Sequence, residues 1–231
     1  MAYKPTKFDD SVNAPSDHPL KEFASLLFYL SLIIAVFYII IGFTIDLTVS
    51  HITPEQERKL LGLSGNKPNI IKKLSDPRTE KLQALLDSIP KESLPKGYGF
   101  SIHIMNEKEP NAFAVLGGKI FITTGLLDEI KTENGLVFII GHELGHFANR
   151  DHLRSLGRGL VIAFTTMLLF GDESSITGFV SGLTFGIESQ YSKTQEQMAD
   201  YWGIKILEAK YGHVGGANEF FELNHKRTKS K

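Results

Sequence analysis

Residues Asn134 to Asn149 read NGLVFIIGHELGHFAN, and this stretch decides how the rest of the chain is read. It has no proline and is dense in Leu, Val, Ile and Phe, so a buried helix is expected. In a helix, His142 and His146 lie four residues apart and stack on one face. Two imidazoles so placed can share a tetrahedral zinc ion. Glu143 sits one residue along. Its carboxylate can reach a water on that metal, take the proton as general base and pass it to a leaving amine. This is the H-E-x-x-H arrangement. Ile139, Ile140, Leu144 and Phe147 surround the motif. Burying two imidazoles and a carboxylate without partners is costly. The competing explanation is a pair of satisfied core histidines.

Such a site needs a third protein ligand. The chain has no cysteine, so only His, Asp or Glu can serve. Downstream, Glu196 and Asp200 are four apart within YSKTQEQMAD (191–200) and would share a helix face. Glu196 can ligate a metal, and Asp200 can hydrogen-bond a ligating imidazole from behind. Spacing alone favours a solvated face with ordinary helix charges for these two.

Outside the motif, Leu26 to Ile45 (LLFYLSLIIAVFYIIIGFTI) is unbroken by charge. As a helix it spans roughly the 30 Å hydrocarbon core. The polar stretch before it and the poor cleavage site after it argue for a retained anchor rather than a signal peptide. The expected layout is a polar tail over 1–22, a transmembrane helix over 23–46 and one domain over 47–231, in a single-pass membrane protein. Lys4, Lys7 and Lys21 before the span balance Arg58 and Lys59 after it, so charge does not set the orientation. The 231 residues carry 25 basic against 26 acidic side chains, which excludes the basic excess of a nucleic-acid binder.

Further along, Thr53-Pro54-Glu55-Gln56 is a helix start with a capping box, and Gly62 and Gly65 break that helix. Pro77 to Ile89 reads as an amphipathic helix with Leu82, Leu85, Leu86 and Ile89 on one side. Gly99 to Asn106 alternates like a strand. Asn111 to Leu116 and Lys119 to Thr124 read as two more, with a Gly117-Gly118 tight turn between them. From Leu126 onward the chain is mostly helical. Gly159 to Phe170 (GLVIAFTTMLLF) is too short to cross a bilayer and reads as a core helix, with a helix resting on a membrane surface as the alternative. The fold class is therefore α+β, mainly helical, with a small antiparallel sheet and one N-terminal transmembrane helix.

HELGH (142–146), EQMAD (196–200) and NAFAVLGGKIFITTGLL (111–127) together resemble the M48 peptidases. These are gluzincin zinc endopeptidases that include HtpX-like membrane proteases and soluble relatives. The resemblance runs from about Pro54 to Leu223 and includes Tyr211-Gly212 and Ala217 to Phe221. It implies a zincin-type domain holding one Zn2+ per chain, with His142, His146 and Glu196 as ligands, Glu143 as catalytic base and Asp200 supporting a ligand. It implies that Asn111, Ala112, Phe113 and Ala114 form a strand beside the cleft, able to pair with extended substrate. The partners would be misfolded or membrane-associated polypeptide and membrane lipid around residues 26–45. The setting would be a bacterial inner membrane with the peptidase domain on the periplasmic side. Leu116 stands where the family often has proline. Relatives often continue past a His-Pro loop and an Arg that help bind the tetrahedral intermediate. His213 and His225 sit in no such motif here. That departure motivates a second reading: a membrane-anchored binding or assembly module that retains a structural metal.

Overall fold

The structure, a computed structural model, describes residues 19–63, 76–171 and 191–230. The polar tail expected at the start lies largely outside the described residues, and so does Gly65. The chain divides into two compact units, Met1–Thr44 and Ile45–Lys231.

Helix α1 runs Pro19–His51, well past the 23–46 span expected. A charge such as Asp46 ends an apolar span, but it does not break a helix. Ser50 Oγ and His51 Nδ1 both bond the Leu47 carbonyl near the helix end. The side chains from Leu26 to Ile40 are exposed throughout. By length and composition this helix can cross a membrane.

The second unit begins with α2 (Pro54–Leu63). The Thr53 and Gln56 side chains bond each other's backbone N–H, as a capping box requires. Helix α3 (Arg78–Asp87) buries Leu82 and Leu86, and a 3-10 turn at Lys91–Ser93 leads to the sheet. The strands are β1 (Ser101–Met105), β2 (Ala112–Val115) and β3 (Lys119–Thr123), in the spatial order β1-β3-β2. Strands β2 and β3 form the expected antiparallel hairpin, with Gly117 and Gly118 at positive φ in its turn.

The sheet is mixed, however, and not wholly antiparallel, because β1 pairs in parallel with β3. The physical reason is burial. In β3, Ile120, Phe121 and Ile122 are all buried, so this strand takes the centre, whereas every residue of β2 is half-exposed. Strand β2 is thereby left as an edge.

Helices α4 (Thr124–Glu129), α5 (Glu133–Ala148), α6 (Asp151–Phe170), α7 (Lys193–Tyr211) and α8 (Ala217–Ser230) complete the unit. Thr123, Thr132 and Ser192 cap α4, α5 and α7 through their hydroxyls. Helix α5 is the central element, in contact with β2, α3, α6, α7 and α8. It meets α7 at close range. A Cβ at Gly141 would lie 2.9 Å from Gly203 Cα, and one at Gly145 would lie 2.8 Å from Ala199 Cα. The two backbones approach this closely because those positions lack side chains.

Helix α6 overturns one expectation. Over Gly159–Phe170 it is helical but not core: Leu160, Ile162, Phe164, Leu168, Leu169 and Phe170 are exposed, and only Ala163 is buried. Among the described residues nothing packs over that face. Taken over all 20 residues, α6 joins α1 as a helix long and apolar enough to cross a membrane.

Candidate metal centre

Helix α5 places His142 and His146 one turn apart, and α7 brings Glu196 and Asp200 against them. The His142 and His146 Nε2 atoms are 3.2 Å apart, and Glu196 Oε2 is 3.5 Å from His142 Nε2. One donor atom from each of the three residues falls within a 4.8 Å cluster. A tetrahedral zinc with ~2.0–2.1 Å bonds has ligand–ligand edges of about 3.3 Å. The His142–His146 and His142–Glu196 spacings are close to that figure.

The back of each imidazole is tied to a carboxylate. His142 Nδ1 lies 3.0 Å from Asp200 Oδ1, and His146 Nδ1 lies 3.0 Å from Asp151 Oδ2. A carboxylate can only accept, so each Nδ1 carries a proton, which leaves Nε2 as the ring atom facing the other imidazole and Glu196. With Glu196 and Glu143 beside them, these ring atoms sit where positive charge is favoured, as a second proton on His142 or as a bound cation. The His142 pKa reflects this: burial pushes it down, but Asp200, Glu196 and Glu143 outweigh burial and raise it to about 10. Glu196 is held below the ordinary carboxylate range, chiefly by its bond to His142.

Glu143 is buried on the same face. Burial pushes its pKa up, opposed by the two imidazoles and by the Ala114 N–H, which donates to it. The edge strand and this carboxylate therefore meet directly. Asn111 uses its backbone N–H and C=O on Thr123 of β3. By strand alternation, Ala112 and Ala114 turn their amide groups to the open edge. Of the four residues expected along the cleft, Ala112 offers its N–H and C=O there and Ala114 its C=O, the Ala114 N–H being taken by Glu143.

Asp151 escaped the sequence reading. Arg150, at φ +56°, breaks the helix between α5 and α6 and swings Asp151 beneath His146. Continuous helix geometry would not have put a residue five positions along in that place. Gln195 Nε2 donates to Asp151 Oδ1 at 2.7 Å, and the Tyr191 ring stacks on His146 at 3.9 Å between centroids. The buried Glu57–His152 pair was also missed, because its partners are 95 residues apart in sequence.

The sequence model of Peptidase family M48 matches residues 76–228. A mitochondrial metalloendopeptidase OMA1 of Schizosaccharomyces pombe is 30% identical over 115 residues, covering 47% of this chain and 32% of that protein. The metalloprotease LoiP of Escherichia coli is 31% identical over 124 residues, covering 50% of this chain and 47% of LoiP. A protease HtpX homolog of Thermoanaerobacter pseudethanolicus is 30% identical over 162 residues, covering 56% and 50%. The aligned region spans no more than half the length of each of these three relatives. The matched segment contains every residue of the cluster built above, and the chain belongs to peptidase family M48.

Proposed function

We propose that this chain is a zinc-dependent endopeptidase, anchored in a membrane by α1, that cuts extended or misfolded polypeptide. The reading is carried by one observation: three donor atoms within 4.8 Å of one another with a buried carboxylate, Glu143, beside them. The donor set suits zinc, since two neutral imidazoles and one carboxylate with an open fourth position is a known catalytic composition. His142, His146 and Glu196 would hold one Zn2+ per chain. When bound, zinc supplies Lewis-acid chemistry, activating a water and polarising a carbonyl.

The chain's own residues do the rest. Asp200 and Asp151 keep the two imidazoles in one tautomer and orientation. Extended substrate adds to the open edge of β2, pairing with the Ala112 N–H and C=O and the Ala114 C=O, which sets the scissile bond beside Glu143. Glu143 accepts the proton of the attacking water at a carboxylate oxygen and delivers it to the departing amine nitrogen. The periplasmic side of a bacterial inner membrane remains the proposed location of the second unit.

The test is cleavage of a loosely folded protein by the full chain in detergent. Wild type should cut it. Chelator should stop the reaction, and Glu143→Gln should lower the rate by at least ~10²–10⁴-fold while metal content stays near one per chain. Equal cleavage in all arms overturns the catalytic reading. Stabilisation by zinc with no cleavage would instead select the binding or assembly module.

A further inference from the structure

Glu57 sits on α2, ahead of residue 76, where the family match begins, and its side chain is fully buried. A buried carboxylate is costly unless its oxygens are well satisfied. Here both are. Oε1 accepts the backbone N–H of Gly117 at 2.7 Å and lies 3.1 Å from His152 Nε2. Oε2 accepts the Tyr98 hydroxyl at 2.5 Å. The Tyr98 ring packs on Phe147, at 5.3 Å between centroids, and Phe147 packs on His152 at 4.7 Å.

The partners matter more than the burial. Gly117 is the turn of the β2–β3 hairpin, three residues from Ala114, whose N–H reaches Glu143. His152 follows Asp151, which orients His146. One carboxylate thus touches both walls of the site: the edge strand and the turn that supports a histidine of the metal centre. The His152 ring has no second hydrogen bond among the described residues, since its Nδ1 is buried without a partner. Glu57 stays ionised in this setting: burial works against it, but His152, Tyr98 and Gly117 outweigh burial and lower its pKa.

We infer that Glu57 is a positioning residue for substrate, bracing the β2 edge against the helix junction behind His146. The segment joining α1 to the peptidase domain is then part of the working site and not only a tether. This rests on the strand-pairing reading proposed above. A brace acts by fixing where the β2 amides stand relative to Glu143, so its loss should loosen the hairpin and weaken substrate pairing more than it disturbs metal binding.

The experiment uses the full chain in detergent, comparing wild type with Glu57→Gln, Glu57→Leu and Tyr98→Phe. Three quantities are read: amide exchange in β2 and at Gly117, metal content, and KM and kcat on a fluorogenic unstructured peptide. Glu57→Gln keeps one acceptor but loses the charge. It should speed exchange at Phe113, Val115 and Gly117, whose N–H groups face β3 or Glu57, and raise KM by on the order of tenfold, with kcat changed less and metal near one per chain. Glu57→Leu should exceed it, and Tyr98→Phe should fall below it. A folded Glu57 variant with wild-type hairpin exchange and wild-type KM overturns the inference. So does exchange that rises evenly over the whole domain together with metal loss, which is what simple destabilisation predicts. Should the Glu57 variants not fold, wild type and Tyr98→Phe decide: fast exchange of the Gly117 amide in wild type, or no hairpin effect in Tyr98→Phe, also overturns it. The exchange readout needs no turnover. A wild type that cuts nothing would therefore defeat the peptidase reading while the brace was still being judged.

Discussion

Helices α5 and α6 are separated only by Asn149 and Arg150, and both carry long apolar runs. In α5, 12 of 16 residues are buried; in α6, 4 of 20 are, and three of those are in its first turn. Composition does not separate the two. Partners do. Helix α5 is in contact with β2, α3, α7 and α8, with Gly141 and Gly145 letting α7 come close. Helix α6 buries Asp151, His152 and Leu153 in its first turn and meets the end of α1 through Arg158 at Asp46 and Gly157 at Ile45, but from Leu160 on, Ala163 is its one buried residue. An apolar helix is a demand for cover, and the demand can be met by protein or by lipid.

The comparison can be broken or sharpened by experiment. The largest effect belongs to α5. Phe138 is fully buried and packs on Phe220 and Phe221. Phe138→Ala should cost about 3–5 kcal/mol in denaturant unfolding of the zinc-loaded chain. A loss below ~1 kcal/mol would mean that α5 is not the core element described.

Next comes the junction between the two helices. Asp151→Asn keeps the size but weakens the bond to His146 Nδ1. It should lower zinc affinity roughly 10–100-fold in a competition titration. Unchanged affinity would separate α6 from the metal centre altogether.

A smaller effect concerns how α5 begins. Glu219 of α8 accepts the N–H groups of Lys131 and Thr132 and the Thr132 hydroxyl. Partial burial opposes its ionisation, but these bonds outweigh it and hold the carboxyl below its ordinary value of 4.5. Its folded-state pKa is depressed, so its contribution to stability is present above pH ~4.5 and fades as pH falls through the folded value. Glu219→Gln should therefore lower the melting temperature slightly at pH 7, with the gap to wild type closing in acid. A gap that stays constant to pH 3 would rule out the carboxylate as its source.

The smallest expected effect is on α6. Replacing Phe164 and Leu168 with Ser should change the stability of the detergent-solubilised domain by less than about 0.5 kcal/mol. A loss comparable to that of Phe138→Ala would show that protein covers α6 after all.

Much of the site was legible in the sequence because its parts are local. His142, Glu143 and His146 lie within one helical turn, and the 3.6-residue repeat brings the imidazoles to one face before any tertiary contact is known. Glu196 and Asp200 were legible as a pair for the same reason. Caps at Thr53 and the Gly117-Gly118 turn were readable from side-chain chemistry next to the backbone they serve. The apolar span within α1 needed only length and absence of charge.

Tertiary structure decided what depends on distant residues or on a broken repeat. That Glu196 meets His142 across 54 positions follows from how α7 docks on α5 through Gly141, Gly145 and Gly203. That Asp151 supports His146 follows from the left-handed turn at Arg150, which no periodicity foretells. The parallel pairing of β1 with β3, the closure of Glu57 on Gly117 and the bareness of α6 are likewise matters of which surfaces compete for burial. Local spacing encodes which groups can share a face; only the packed chain settles which faces meet.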